Sequence, residues 1–152
     1  MGIEIERKFL VSGETWKTVE PSYFCQGYLN RDKERTVRVR VASDSAVLTI
    51  KGKSVGATRA EFEYTIPAED GKQLLQLCEQ PLIEKNRYVV EHAGKTWEVD
   101  EFLGANLGLV VAEIELTSED ESFELPNWVT DEVTNDPRYF NSRLSEQPFS
   151  TW

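Results

Sequence analysis

Met1-Gly2-Ile3-Glu4-Ile5-Glu6-Arg7-Lys8-Phe9-Leu10-Val11 opens the chain, and its alternation sets how the later segments are read. In an extended strand successive side chains point to opposite faces. Glu4, Glu6 and Lys8 therefore share one face, with Ile3, Ile5 and Phe9 on the other. One strand of this kind is what any half-solvated antiparallel sheet shows to water. The pattern gains meaning because it recurs. Thr36–Val41 sets Arg38 and Arg40 against valines, and Ala46–Lys51 sets Thr49 and Lys51 against Leu48 and Ile50. Arg59–Ile66 sets Arg59, Glu61 and Glu63 against Phe62, Tyr64 and Ile66. From Ile83, Lys85 and Arg87 oppose Tyr88 and Val90; Thr96–Asp100 pairs Glu98 with Asp100, and Leu109–Leu116 pairs Glu113 with Glu115. Tyr23–Leu29, with Gln26 and Tyr28 on its polar face, lacks a charged pair and completes a set of eight predicted strands.

If all these faces met water, opposite charges would be expected to intermix for cross-strand pairing. Instead most of the doublets are like-charged, which points to shared ligands. Eight antiparallel strands can close into a barrel whose interior holds side chains or one small ligand. The predicted fold is α+β but mainly β: an eight-stranded antiparallel closed barrel, a tunnel with a charged lumen and helices packed outside. Those helices are Ala68–Gln80, with Leu74, Leu75, Leu77 and Cys78 at helical spacing, Glu69 and Asp70 near its start and Pro81 as its stop, and a second opened by Asp136-Pro137 and running to about Leu144. Ser12–Glu20 reads as a short helix or turn with Trp16 and Val19 as apolar contacts.

The 152 residues suit a single domain with a core of its own. With 27 acidic against 17 basic residues and a formal charge of −10, neither nucleic acid nor an anionic membrane is an expected partner. An anion must be captured by a local basic cluster. Cys25 and Cys78 lack metal spacing and read as buried thiols, with a lone disulfide as the alternative; one histidine, His92, excludes a histidine zinc site. No signal-like or membrane-spanning run is visible, so the expected location is cytoplasmic. Gly52-Lys53-Ser54 resembles the end of a phosphate-binding P-loop, but the required earlier glycine is Val47.

Arginine and lysine rows suit a compact polyanion, and carboxylate rows suit hard divalent cations such as Mg²⁺ or Mn²⁺. A metal-bound polyphosphate satisfies both. The ordered set Glu4-x-Glu6-x-Lys8, Arg38-x-Arg40, Thr49-x-Lys51, Arg59-x-Glu61-x-Glu63, Lys85-x-Arg87, Asp100 and Glu113-x-Glu115 resembles the CYTH family of triphosphate tunnel metalloenzymes, short bacterial type. The likeness includes Glu132-Val133-Thr134-Asn135-Asp136-x-Arg138-Tyr139-x-Asn141 and spans nearly the whole chain. It implies Glu4, Glu6, Glu61, Glu63, Asp100, Glu113 and Glu115 as metal ligands, directly or through water. Arg38, Arg40, Lys51, Arg59, Lys85 and Arg87 would hold phosphate oxygens.

Tyr28 and Lys8 are the candidate catalytic pair, expected on neighbouring strands, with the ammonium favouring the phenolate that takes a proton from water. The implied activity is metal-dependent hydrolysis of tripolyphosphate to pyrophosphate and phosphate. The alternatives are a class IV adenylate cyclase, a phosphohydrolase of nucleotide or thiamine triphosphate, and a non-catalytic polyphosphate-binding module. The expected partner is a small-molecule triphosphate, and the family suggests a possible homodimer.

Overall fold

The computed structural model describes residues 2–152. Its strands are β1 (Ile3–Val11), β2 (Ser22–Asn30), β3 (Arg35–Ala42), β4 (Ser45–Gly52), β5 (Thr58–Ile66), β6 (Glu79–His92), β7 (Lys95–Phe102), β8 (Val110–Glu115) and β9 (Val129–Glu132). The helices are α1 (Ala68–Leu77) and α2 (Asn141–Leu144). Hydrogen bonding runs β5-β4-β3-β2-β6-β7-β8-β1, and β5 pairs back onto β1, so eight antiparallel strands close on themselves. The short β9, absent from the sequence reading, adds to the barrel wall. One edge of β1 is divided: Ile3–Ile5 face β5, while Phe9 and Val11 face β9. Arg7 clamps this addition, donating from Nε and Nη2 to Glu132 at 2.8 and 2.6 Å.

The charged rows face inward, and the apolar rows build cores outside the barrel. One external core joins Phe9, Trp16, Tyr88, Trp97, Ile114 and Trp128. A second joins Val39, Val41, Ala46 and Cys78, with Leu74 and Leu75 of α1 packed on it. Helices therefore cover only part of the outside. The segment around Trp16, which forms no helix, and the one around Phe123 and Trp128 cover much of the rest, while Val19 is exposed. Ile3, Ile50, Phe62 and Tyr64 on β1, β4 and β5 remain exposed. Both cysteines are free.

Two helix boundaries differ from the pattern reading. The first helix stops at Leu77, where Cys78 turns extended and its N–H caps Leu75, and β6 is already running before Pro81. At Asp136-Pro137 the cap forms as expected, with the Asp136 carboxylate accepting from the Arg138 N–H. The chain makes only a 3₁₀ turn over Pro137–Tyr139, becomes extended at Phe140 and restarts as α2. That break lets the C-terminal segment enter one end of the barrel. Leu10, Ile83, Phe102 and Val111, in phase with the charged rows of their strands, join Tyr28, Val133, Tyr139 and Leu144 in an apolar core there. The lumen is thus charged along part of its length and plugged by hydrophobic packing at one end.

Candidate active site in the barrel lumen

Barrel order turns the doublets of separate strands into arcs. β8, β1 and β5 are consecutive and bring Glu113, Glu115, Glu4, Glu6, Glu61 and Glu63 together. β4, β3, β2 and β6 are also consecutive and bring Lys51, Arg38, Arg40, Lys85 and Arg87 together. Arg59 and Lys8 lie on the acidic side, and β7 joins the two arcs. Between them is a cavity of about 180 Å³. Every site residue predicted from sequence lines it except Asp100. Glu98, Thr36, Phe140, Asn141 and Ser142 line it as well. Glu98 and Thr36 are in phase with Asp100 and Arg38 and could be read from alternation. The C-terminal three follow no row.

The lumen cations fall into two groups. Lys51 bonds Glu4 at 3.0 Å and lies 3.4 Å from Glu61. Lys8 lies 3.2 Å from Glu113 and packs over the Phe140 ring at 5.5 Å. Buried Asp100 accepts from Lys85 at 2.8 Å and from Arg87 Nε and Nη2 at 2.7 and 2.9 Å. Both oxygens of the predicted metal ligand Asp100 are therefore engaged by cations, and this fork fixes the two cationic side chains. Arg38 and Arg40 form no ion pair among the described residues. Arg38 reaches only the Thr49 hydroxyl, at 3.3 Å, and its buried Nε has no partner. Arg40 stacks on Phe24 with its guanidinium carbon 4.6 Å from the ring centre. Burial, with Arg38 and Arg87 nearby, brings the Arg40 pKa down to about 10. Two adjacent guanidiniums that form no ion pair suit an anionic partner.

The acidic arc shows the opposite frustration. Glu6 faces Glu115, and Glu98 faces Glu113, directly across paired strands, a destabilising arrangement for like charges. Burial, with Glu113 and Glu4 beside it, pushes the Glu6 carboxyl well above its ordinary value; burial and Glu4 push Glu61 up to about 7. Glu113 goes the other way: against the effect of burial, Lys8, Arg87 and Lys85 hold it well below the usual range. Among the described residues no three carboxylates already cage a common point. The donor set is all oxygen and crowded with like charge, which fits a hard divalent cation drawn to Glu4, Glu6, Glu61, Glu63, Glu113 and Glu115.

The expected neighbourhood of Lys8 and Tyr28 is corrected by the topology. β1 and β2 are separated by three strands in either direction around the barrel, so the two side chains enter the lumen from opposite walls. Sequential order suggested adjacency, but β2 pairs with β3 and β6.

A closed antiparallel barrel that sets unpaired guanidiniums across from a crowded carboxylate arc defines a tunnel protein for a polyanion and its counter-ion. The chain belongs to the CYTH domain family, whose model matches residues 2–145. It is 51% identical over 154 residues to an inorganic triphosphatase of Acetivibrio thermocellus, covering 100% of this chain and 99% of the relative. It is 34% identical over 146 residues to an inorganic triphosphatase of Nitrosomonas europaea, covering 93% and 96%. The crystal structure of the inorganic triphosphatase NE1496 superposes with a TM-score of 0.69 at 32% identity, covering 93% of each chain. Among the described residues no helix is long and apolar enough to cross a membrane.

Proposed function

We propose that the protein is an inorganic triphosphatase of the cytoplasm that uses water to cleave tripolyphosphate into pyrophosphate and phosphate. The observation that carries this reading is the pair Arg38 and Arg40, which form no ion pair among the described residues, opposite a wall crowded with carboxylates. That the relatives from Acetivibrio thermocellus and Nitrosomonas europaea are inorganic triphosphatases supports it. Arg38 and Arg40 take phosphate oxygens, joined by Lys51, Arg59, Lys85 and Arg87, with the last two held in place by Asp100. Glu4, Glu6, Glu61, Glu63, Glu113 and Glu115 would hold Mg²⁺ or Mn²⁺, which when bound neutralises charge on the transferring phosphoryl group. Lys8, kept cationic by Glu113 and Glu6 against the effect of burial, sits among these carboxylates and offers its ammonium to the anion. Tyr28, on the far wall and directly across from Arg38 in the β2–β3 pairing, would accept the proton of the attacking water, with Arg38 in place of Lys8 as its neighbouring cation. A homodimer would cover the exposed apolar side chains of β1, β4 and β5.

The test is phosphate release from tripolyphosphate with and without Mg²⁺ or Mn²⁺, beside ATP and thiamine triphosphate with product identification. Hydrolysis of tripolyphosphate that stops in EDTA is expected. Full activity in excess EDTA overturns the metal reading, and rapid conversion of ATP to cyclic AMP replaces the reaction with cyclisation.

A further inference from the structure

The plugged end of the tunnel contributes a polar group that the charged rows do not contain. Asn141, the first residue of α2, lines the cavity beside Phe140 and Ser142. Its Oδ1 accepts from Gln26 Nε2 at 2.9 Å and from Lys85 Nζ at 3.2 Å. An ammonium only donates, so the atom facing Lys85 has to be oxygen and the orientation of the Asn141 amide is chemically fixed. Gln26 must in turn present its nitrogen to that oxygen. Two donors occupy the two lone pairs of Oδ1, and Nδ2 is left with two hydrogens. Among the described residues this nitrogen has no hydrogen-bond partner, and it is not one of the buried unpartnered atoms, so it is open to a ligand.

We propose that Asn141 is a substrate-contacting residue whose Nδ2 donates to an oxygen of the polyphosphate while its Oδ1 positions the Lys85 ammonium for the same anion. This rests on reading the tunnel as a tripolyphosphate site. The position favours a neutral donor over another cation. Lys85 already packs over Phe102 with its ammonium 5.5 Å from the ring centre, and Phe102 belongs to the apolar plug, where a further charge would have to be desolvated. An amide gives direction without adding charge. The C-terminal segment, which otherwise plugs the barrel, thereby supplies a wall that recognises the bound anion.

Asn141→Asp separates the two duties, since the isosteric side chain keeps an acceptor for Gln26 and Lys85 but replaces the free donor with an oxygen that repels phosphate. Tripolyphosphate hydrolysis in Mg²⁺ should show KM raised roughly 10- to 100-fold, the scale of a lost hydrogen bond to a charged group. Thermal stability should hold, and kcat should fall less than KM rises. Asn141→Ala, which loses both duties, should be impaired in stability as well. A second readout excludes simple charge repulsion: the Asn141 side-chain amide resonances of ¹⁵N-labelled wild type, identified by their absence from Asn141→Asp, should move on titration with tripolyphosphate in EDTA. Resonances that stay still at saturation, or an Asn141→Asp KM within threefold of wild type, overturn the proposal. Wild type that neither binds nor hydrolyses tripolyphosphate overturns the proposed function instead.

Discussion

Replacing Asp100 by Asn removes one negative charge from a site where it balances two buried cations. The Lys85 and Asp100 side chains are each 2% exposed and that of Arg87 is 11% exposed, so water offers little compensation. Taking away one partner of a buried pair costs about 3–5 kcal/mol, because the remaining charge stays buried. The low end applies here. Arg87 keeps Glu98 at 3.3 Å and Glu113 at 3.5 Å, and Lys85 keeps the Asn141 oxygen at 3.2 Å. A loss of about 3 kcal/mol in a domain of this size lowers Tm by about 6–12 °C, at roughly 2–4 °C per kcal/mol. Calorimetry of wild type and Asp100→Asn in EDTA measures this directly. Tripolyphosphate should restore part of the loss, since the surplus positive charge gains an anionic partner and a ligand that binds only the folded state stabilises it. If Asp100→Asn melts within 2 °C of wild type but needs much more Mg²⁺ for activity, Asp100 is a metal ligand and the anchoring role assigned to it is wrong.

Tyr28→Phe keeps the ring in its apolar cluster and removes the hydroxyl, so kcat should drop about 100-fold, the scale of losing a general base, with little change in Tm. Near-normal turnover in Tyr28→Phe, together with loss of activity in Lys8→Ala, would move the chemistry to the acidic wall. Gly71→Ala probes the outside of the barrel, because the added methyl would stand 2.5 Å from the Ala46 Cβ and 3.1 Å from Val41 Cγ2. Overpacking of about 1–3 kcal/mol should exceed the ~1 kcal/mol gained in helix propensity, lowering Tm by a few degrees while leaving kcat and KM unchanged; a raised Tm would show that α1 shifts freely on the strands.

The eight barrel strands and their inward charges were legible because side-chain direction in a strand is local, fixed by a period of two. Alternation alone placed Glu4, Arg38, Lys51, Glu63, Arg87 and Glu113 on one surface, and resemblance to a family attached a chemistry to them. Local pattern does not encode which strand lies beside which. Pairing is a long-range choice, and it set β1 opposite β2, separating Lys8 from Tyr28, and gathered the doublets into an acidic and a basic arc. It also decided which charges are consumed: Asp100 looks like any other lumen carboxylate in sequence, but Lys85 and Arg87 engage both its oxygens. Leu10, Ile83, Phe102 and Val111 alternate in phase with the charges, yet only closure shows that they form an apolar end wall. Asn141 belongs to a tail with no periodicity. Its place in the tunnel follows from the break at Phe140 and from contacts more than a hundred residues distant in sequence, such as Gln26, which only the folded chain brings together.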